Sequence, residues 1–209
     1  MEKFPSVFLK LVESIRRCDY CKDFLPLGPK PILRVGPEKS PILIVGQAPG
    51  LRVHLTGLPW NDPSGDKLRQ WLNVSREQFY DTKYFTIIPA GFCYPGRNSK
   101  GGDLPPRKEC KELWWDKIIK FTTDFKLILL IGGYAQEIFL GIKRKSTLRE
   151  TVMAWKEYYP PFVPCPHPSF RNNLWLKKNS WFFEEVIPFI RERTHQLIME
   201  IDQSSKVKK

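Results

Sequence analysis

Apolar and polar positions change their period along this chain, and each change marks an element. Residues 7–17 (VFLKLVESIRR) set apolar side chains at helical spacing, which predicts an amphipathic helix leading into Cys18. The stretch 24–40 is rich in proline and reads as an extended connection. Pro41-Ile-Leu-Ile-Val-Gly46 is a short apolar run ending in glycine, the pattern of a strand buried on both faces. Residues 64–73 predict a helix with Leu68, Trp71 and Leu72 inward and Ser64 or Asp66 as its N-cap. A second strand is expected over 83–92, ended by Pro89, since proline cannot donate to a ladder. Then come a helix over 108–121, a strand over 127–132, a short helix over 134–140, a proline-broken strand over 162–167 and a helical stretch over 173–198.

Strands alternating with helices predict an α/β fold of three layers, α/β/α, around a central four-stranded parallel sheet. The expected organisation is one domain over 1–200 and a disordered basic tail over 201–209. In such sheets ligands sit beyond the carboxyl ends of the strands. The loops 46–50, 89–93 and 167–172 fall there.

Composition narrows the function classes. No apolar run is long enough to cross a membrane, and the N-terminal stretch mixes charges into its apolar positions, unlike a secretion signal. A monomer in the cytoplasm is the expectation. Lys and Arg number 34 against 22 Asp and Glu, a net charge of +12. Such a balance suits a polyanion partner, because binding a phosphate backbone releases its condensed counterions; a soluble protein that is merely basic is the alternative. The loop 94–108 (YPGRNSKGGDLPPRK) concentrates glycine, proline and basic residues. Its Arg97, Lys100 and Arg107 suit phosphate contacts or an ordinary solvated loop.

Of five cysteines, four form a pattern: Cys18 and Cys21 as C-x2-C, then Cys93 and Cys110 as C-x16-C. In a reducing compartment such a set points to a metal or catalytic role rather than disulfides. Four thiolates suit zinc or an iron–sulfur cluster equally. Cys165 stands outside the pattern and reads as a buried free thiol. His54 and His195 have no motif around them and read as exposed.

Two motifs carry a resemblance. Gly46-Gln47-Ala48-Pro49-Gly50 follows the first expected strand, and His167-Pro168-Ser169-Phe170-Arg171-Asn172 follows the last. Together with Gly57-Leu58-Pro59-Trp60 and Ser64-Gly65, they resemble the motifs of the uracil-DNA glycosylase superfamily, in the right order, over about residues 15–190. The cysteine spacing is similar to that of its iron–sulfur branches, families four and five. The resemblance therefore implies a [4Fe–4S] cluster on Cys18, Cys21, Cys93 and Cys110, structural rather than redox-active. It also implies DNA containing deaminated bases as the partner, and hydrolysis of the N-glycosidic bond without a Schiff-base lysine.

Breaking that bond places positive charge on the sugar and negative charge on the departing base, which must first leave the stack. The resemblance assigns His167 to the base's carbonyl oxygen, where an imidazole N–H stabilises an oxyanion. It places Gly46, Gln47, Ala48, Trp60, Pro89 and Asn172 around the base, and Ser169, Phe170 and Arg171 against the DNA, with Phe170 or Arg171 filling the gap left by the flipped base. Trp60 stands where the family has a stacking phenylalanine; core packing is its other reading.

The departures bear on mechanism. One branch has an aspartate at the third position of the first motif and family four a glutamate at the second; here these are Ala48 and Gln47. Family five uses an aspartate before Ser-Gly, which Asp62 matches if one gap is allowed. Asp62 then orients water or stabilises the sugar cation, or else it is an Asx-turn or helix cap. Pro89 stands where family four reads uracil with asparagine, which opens hypoxanthine or xanthine as substrates. The rival reading is a superfamily fold that binds damaged or single-stranded DNA with little cleavage.

Overall fold

The computed structural model describes residues 2–99 and 101–206. Four parallel strands form its centre: β1 (Ile42–Val45), β2 (Phe85–Ile87), β3 (Leu127–Ile131) and β4 (Phe162–Cys165), in the order β2-β1-β3-β4. Ile42 lies opposite Phe85 on one side and Leu127 on the other, and Ile131 lies opposite Cys165.

Successive strand residues feed two separate cores, as the two-residue period requires. Ile42, Ile44, Leu127, Leu129, Ile131 and Val163 join one cluster; Leu43, Val45, Ile128 and Leu130 join the other. Helices α1 (Ser6–Arg16), α2 (Leu51–Thr56), α3 (Pro63–Leu72) and α4 (Arg76–Tyr80) belong to the N-terminal half, and later helices are named by their residues. The first core takes Leu68 and Trp71 from α3, Phe79 from α4, and Phe182, Val186, Ile190 and Leu197 from the C-terminal helix. The second takes Phe8, Val12 and Ile15 from α1, Trp115 and Ile118 from the 108–121 helical segment, and Ala135 and Leu140 from Gly133–Leu140. The sheet thus lies between two helical layers, the expected three-layer α/β/α arrangement. No helix among the described residues is long and apolar enough to cross a membrane.

Several boundaries differ from the sequence expectation. The second strand has only three regular residues, but the bonds from Ile88 N–H to the Ile44 carbonyl (3.1 Å) and from Ala90 N–H to the Gly46 carbonyl (2.9 Å) prolong the pairing past Pro89. Helix α3 is capped by Asp62, not by Ser64 or Asp66. Pro63 takes the first helical position, where its missing N–H is not needed, so the cap falls on Asp62, two residues before Ser64. The stretch 173–198 is two helical pieces: Asn173–Lys178, then a helix that opens with a π-turn at Phe182–Val186 and continues through Lys206. The expected disordered tail is therefore helical as far as Lys206, and 207–209 lie outside the described residues. Its apolar Leu197, Ile198 and Ile201 dock on the first core and carry the helix past residue 200. Short helices at Leu51–Thr56, Arg76–Tyr80, Leu148–Met153 and Trp155–Tyr158 were not legible, since a helix of one or two turns shows too little period.

Candidate active site

The carboxyl ends of β1, β2 and β4 converge on one pocket. Its lining includes Gly46, Gln47, Ala48, Trp60, Asp62, Pro89 and His167, from four separate stretches of chain. Backbone bonds lock two of these together: Ala90 N–H donates to the Gly46 carbonyl and Gly91 N–H to the Gln47 carbonyl, both at 2.9 Å. Pro89 therefore faces the pocket from a rigid ledge, and its side chain offers a base no hydrogen bond.

Trp60 and His167 form the pocket's aromatic corner, stacked with ring centroids 5.4 Å apart and planes 26° from parallel. Trp60 is buried and joins the first core, so the two readings of this residue are compatible: it packs the core and also lines the pocket. Its backbone is left-handed, with φ at 58°. Two glycines make room for it. A Cβ on Gly46 would lie 2.7 Å from the indole, and a Cβ on Gly65 would lie 1.8 Å from the Trp60 carbonyl oxygen. The two motifs are thus one packing unit around a tryptophan.

His167 has a defined protonation state. Burial holds its pKa down to about 4, with the nearby Asp103 carboxylate pulling weakly the other way. The backbone N–H of Ser169 donates to its Nδ1 at 3.2 Å. A neutral imidazole that accepts at Nδ1 carries its proton on Nε2, so the ring is a neutral donor at physiological pH. Asn172 does not line the inner pocket. Its side-chain amide donates to the His167 carbonyl at 2.8 Å and braces the loop that presents the imidazole.

An outer groove opens from the pocket. Gln47, Ala48, Arg52, Asp62, Arg97, Asp103, His167, Ser169, Phe170, Arg171 and Asn172 all line it. Phe170 is exposed at 74%, an apolar ring held out to solvent beside the pocket. Arg171 lies against that ring, 5.8 Å from its centroid, and donates to the Gly101 carbonyl at 2.8 Å. It thereby ties the loop after β4 to the glycine-rich loop. Arg97 faces Asp103 at 3.6 Å, so its charge is partly met within the protein. Lys100 lies outside the described residues. Asp62 spends one carboxylate oxygen as the α3 cap, accepting from Gly65 N–H at 2.8 Å.

Two residues of the groove were missed by sequence reasoning. Asp103 is the only acid in the loop 94–108, and that isolation among basic residues was the available signal. Arg52 sits on α2, a helix too short to be foreseen. His54, expected to be exposed, is buried with its Nδ1 unpartnered, while His195 is partly buried and bonds the Asn73 carbonyl at 2.8 Å. Arg107 is not at the groove. It pairs with Glu109, bonds Cys21 and lies 4.8 Å from the Phe24 ring centroid.

The four patterned cysteines lie near enough to one another that ionising one is felt by the others. Cys93 is pushed up to about 12, chiefly by burial, with the thiols of Cys110, Cys18 and Cys21 pushing the same way and the Lys30 backbone N–H offsetting part. Cys110 is pushed up to about 11, again mainly by burial, against a bond from the Phe92 backbone. Among the described residues no three His, Cys, Asp or Glu side chains meet as ligands of a single metal ion. Cys165 is fully buried in the first core.

A family model described as the uracil DNA glycosylase superfamily matches residues 33–191. The match spans both pocket motifs, Trp60, Asp62, Cys93 and Cys110; Cys18 and Cys21 lie outside it.

Proposed function

Because the chain belongs to the uracil DNA glycosylase superfamily, we propose that it is a monofunctional DNA glycosylase that hydrolyses the N-glycosidic bond of deaminated bases in DNA. The observation that carries this reading is the neutral His167, stacked on Trp60 in a pocket at the carboxyl ends of the strands. A base swung out of the stack enters the pocket, and the Nε2–H of His167 donates to the oxygen on which negative charge develops. A neutral donor in a dry site stabilises that anion without first losing a hydration shell. Phe170, exposed at the groove, fills the space the base leaves.

Base selectivity follows from what the pocket lacks. Pro89 offers no side-chain donor or acceptor, so no asparagine pairs with the uracil edge. Gln47 is the polar side chain of the first motif at that edge, and its amide both donates and accepts. This favours tolerance of uracil together with hypoxanthine or xanthine. The deciding experiment is a panel of oligonucleotides carrying uracil, hypoxanthine, xanthine or thymine, scored for abasic product. Release of no base from any of them would leave the rival reading, a damaged-DNA binder with little cleavage, which the missing acid at 46–50 favours.

We also propose that Cys18, Cys21, Cys93 and Cys110 would hold a [4Fe–4S] cluster, a reading supported by their C-x2-C and C-x16-C spacing. Backbone N–H bonds reach the sulfurs of Cys93 and Cys110, and Arg107 bonds that of Cys21, as negative thiolates require. Zinc, about 2.3 Å from each sulfur, would draw all four onto one point. A cluster takes them onto separate irons, and the spacing of the four cysteines is similar to that of the family's iron–sulfur branches. The group would act structurally, pinning α1 and the glycine-rich loop to the sheet.

A further inference from the structure

Hydrolysis needs a group that takes a proton from the attacking water, and the first motif, with Gln47 and Ala48, supplies none. Among the described residues lining the pocket and groove, the only acids are Asp62 and Asp103. Asp62 is committed by one oxygen to the Gly65 N–H as the cap of α3. Asp103 has no such commitment to a helix.

Asp103 lines the outer groove, whereas Asp62 lines both the groove and the inner pocket. Asp103 shares the groove with His167, close enough for their charges to interact. Its Oδ2 lies 3.3 Å from where a Cβ on Gly50 would stand, so it rests against the last residue of the first motif. The loop that carries it is held at two points. Arg97 pairs with it across a backbone bridge, Nε to Oδ1 at 3.6 Å, and Arg171 bonds the Gly101 carbonyl at 2.8 Å. A carboxylate on a glycine-rich loop would ordinarily wander; these ties aim this one at the groove.

We propose that Asp103 is the catalytic carboxylate of this chain, delivered from the glycine-rich loop in place of the acid missing from the first motif. The inference rests on the glycosylase reading above. The C1′–N bond breaks with its electron pair leaving on the base, whose anion His167 stabilises. Water adds through oxygen to C1′, and the proton it loses passes to the Asp103 carboxylate. That proton then goes to the departed base or to solvent, which restores the carboxylate. No oxidant or other co-reactant is needed.

The test compares Asp103→Asn, Asp62→Asn and the parent protein in single-turnover cleavage of whichever oligonucleotide the parent processes, alongside binding of the same strand carrying a non-cleavable analogue. Asp103→Asn is expected to slow cleavage by about a hundredfold or more, the lower end of acid–base contributions, with binding within about threefold of the parent. Asp62→Asn is expected to slow it less. Cleavage by Asp103→Asn within about threefold of the parent would overturn the proposal. So would a loss of rate fully matched by lost binding, which would make Asp103 a support for the DNA groove. A parent that releases no base from any strand would instead overturn the glycosylase reading, and this inference with it.

Discussion

The imidazole of His167 lies on the indole of Trp60, centroids 5.4 Å apart and planes 26° from parallel. A core tryptophan thus orients the proposed anion donor, and Gly46 is the residue whose lack of a side chain permits it. Gly46→Ala would place a Cβ 2.7 Å from the indole and push the pair apart. Cleavage should fall with little change in DNA binding. His167→Ala should cost about a hundredfold or more in single-turnover rate. Retention of full rate in both variants would separate this aromatic corner from the chemistry.

The depressed pKa of His167 makes stability depend on pH. The unfolded chain protonates this histidine as pH falls through its ordinary 6.5, while the folded protein resists until about 4. Stability is therefore complete above about 6.5 and is lost as pH falls towards 4, by an amount on the order of 3 kcal/mol. His167→Gln should lose less over the same window in urea melts. An equal pH slope in parent and variant would show that His167 titrates normally.

Asp62 has a structural task that can be separated from any chemical one. Removing the α3 cap in Asp62→Ala should cost about 1 kcal/mol in denaturant unfolding. Asp62→Asn keeps a capping oxygen and should unfold close to the parent. A large loss of stability in the asparagine variant would point to a charge interaction beyond the cap.

Electrostatic contact with DNA should be carried by Arg52 more than by Arg97. Both line the groove, but Arg97 faces Asp103 at 3.6 Å. Arg52→Ala should reduce the slope of log affinity against log salt by about one, the worth of one phosphate contact. Arg97→Ala should change it less. The reverse order would mean that DNA displaces Asp103 from Arg97 on binding.

The cysteine set is tested by colour and iron content. The purified protein should be brown, Cys110→Ser should lose iron, and Cys165→Ser, altering a thiol in the first core, should keep it. Full iron in Cys110→Ser, or zinc in the parent, would refute the ligand assignment.

The layers of this fold, and the end of the sheet at which its site lies, follow from local patterns along the chain. Alternating apolar strand residues must feed two cores whatever surrounds them, and a glycine follows directly on β1 and β3 where they stop. His167 was legible by resemblance, as part of the motif 167–172 that follows the last strand. Tertiary structure alone decided the rest. It placed Trp60 under His167, made Asp62 a cap, turned Arg107 towards the cysteines and brought Asp103 across the groove to Gly50. Each of these joins residues from separate stretches of chain, or fixes one local choice among several. Such choices are set by close approach, burial and charge between elements, quantities that no period along the chain records.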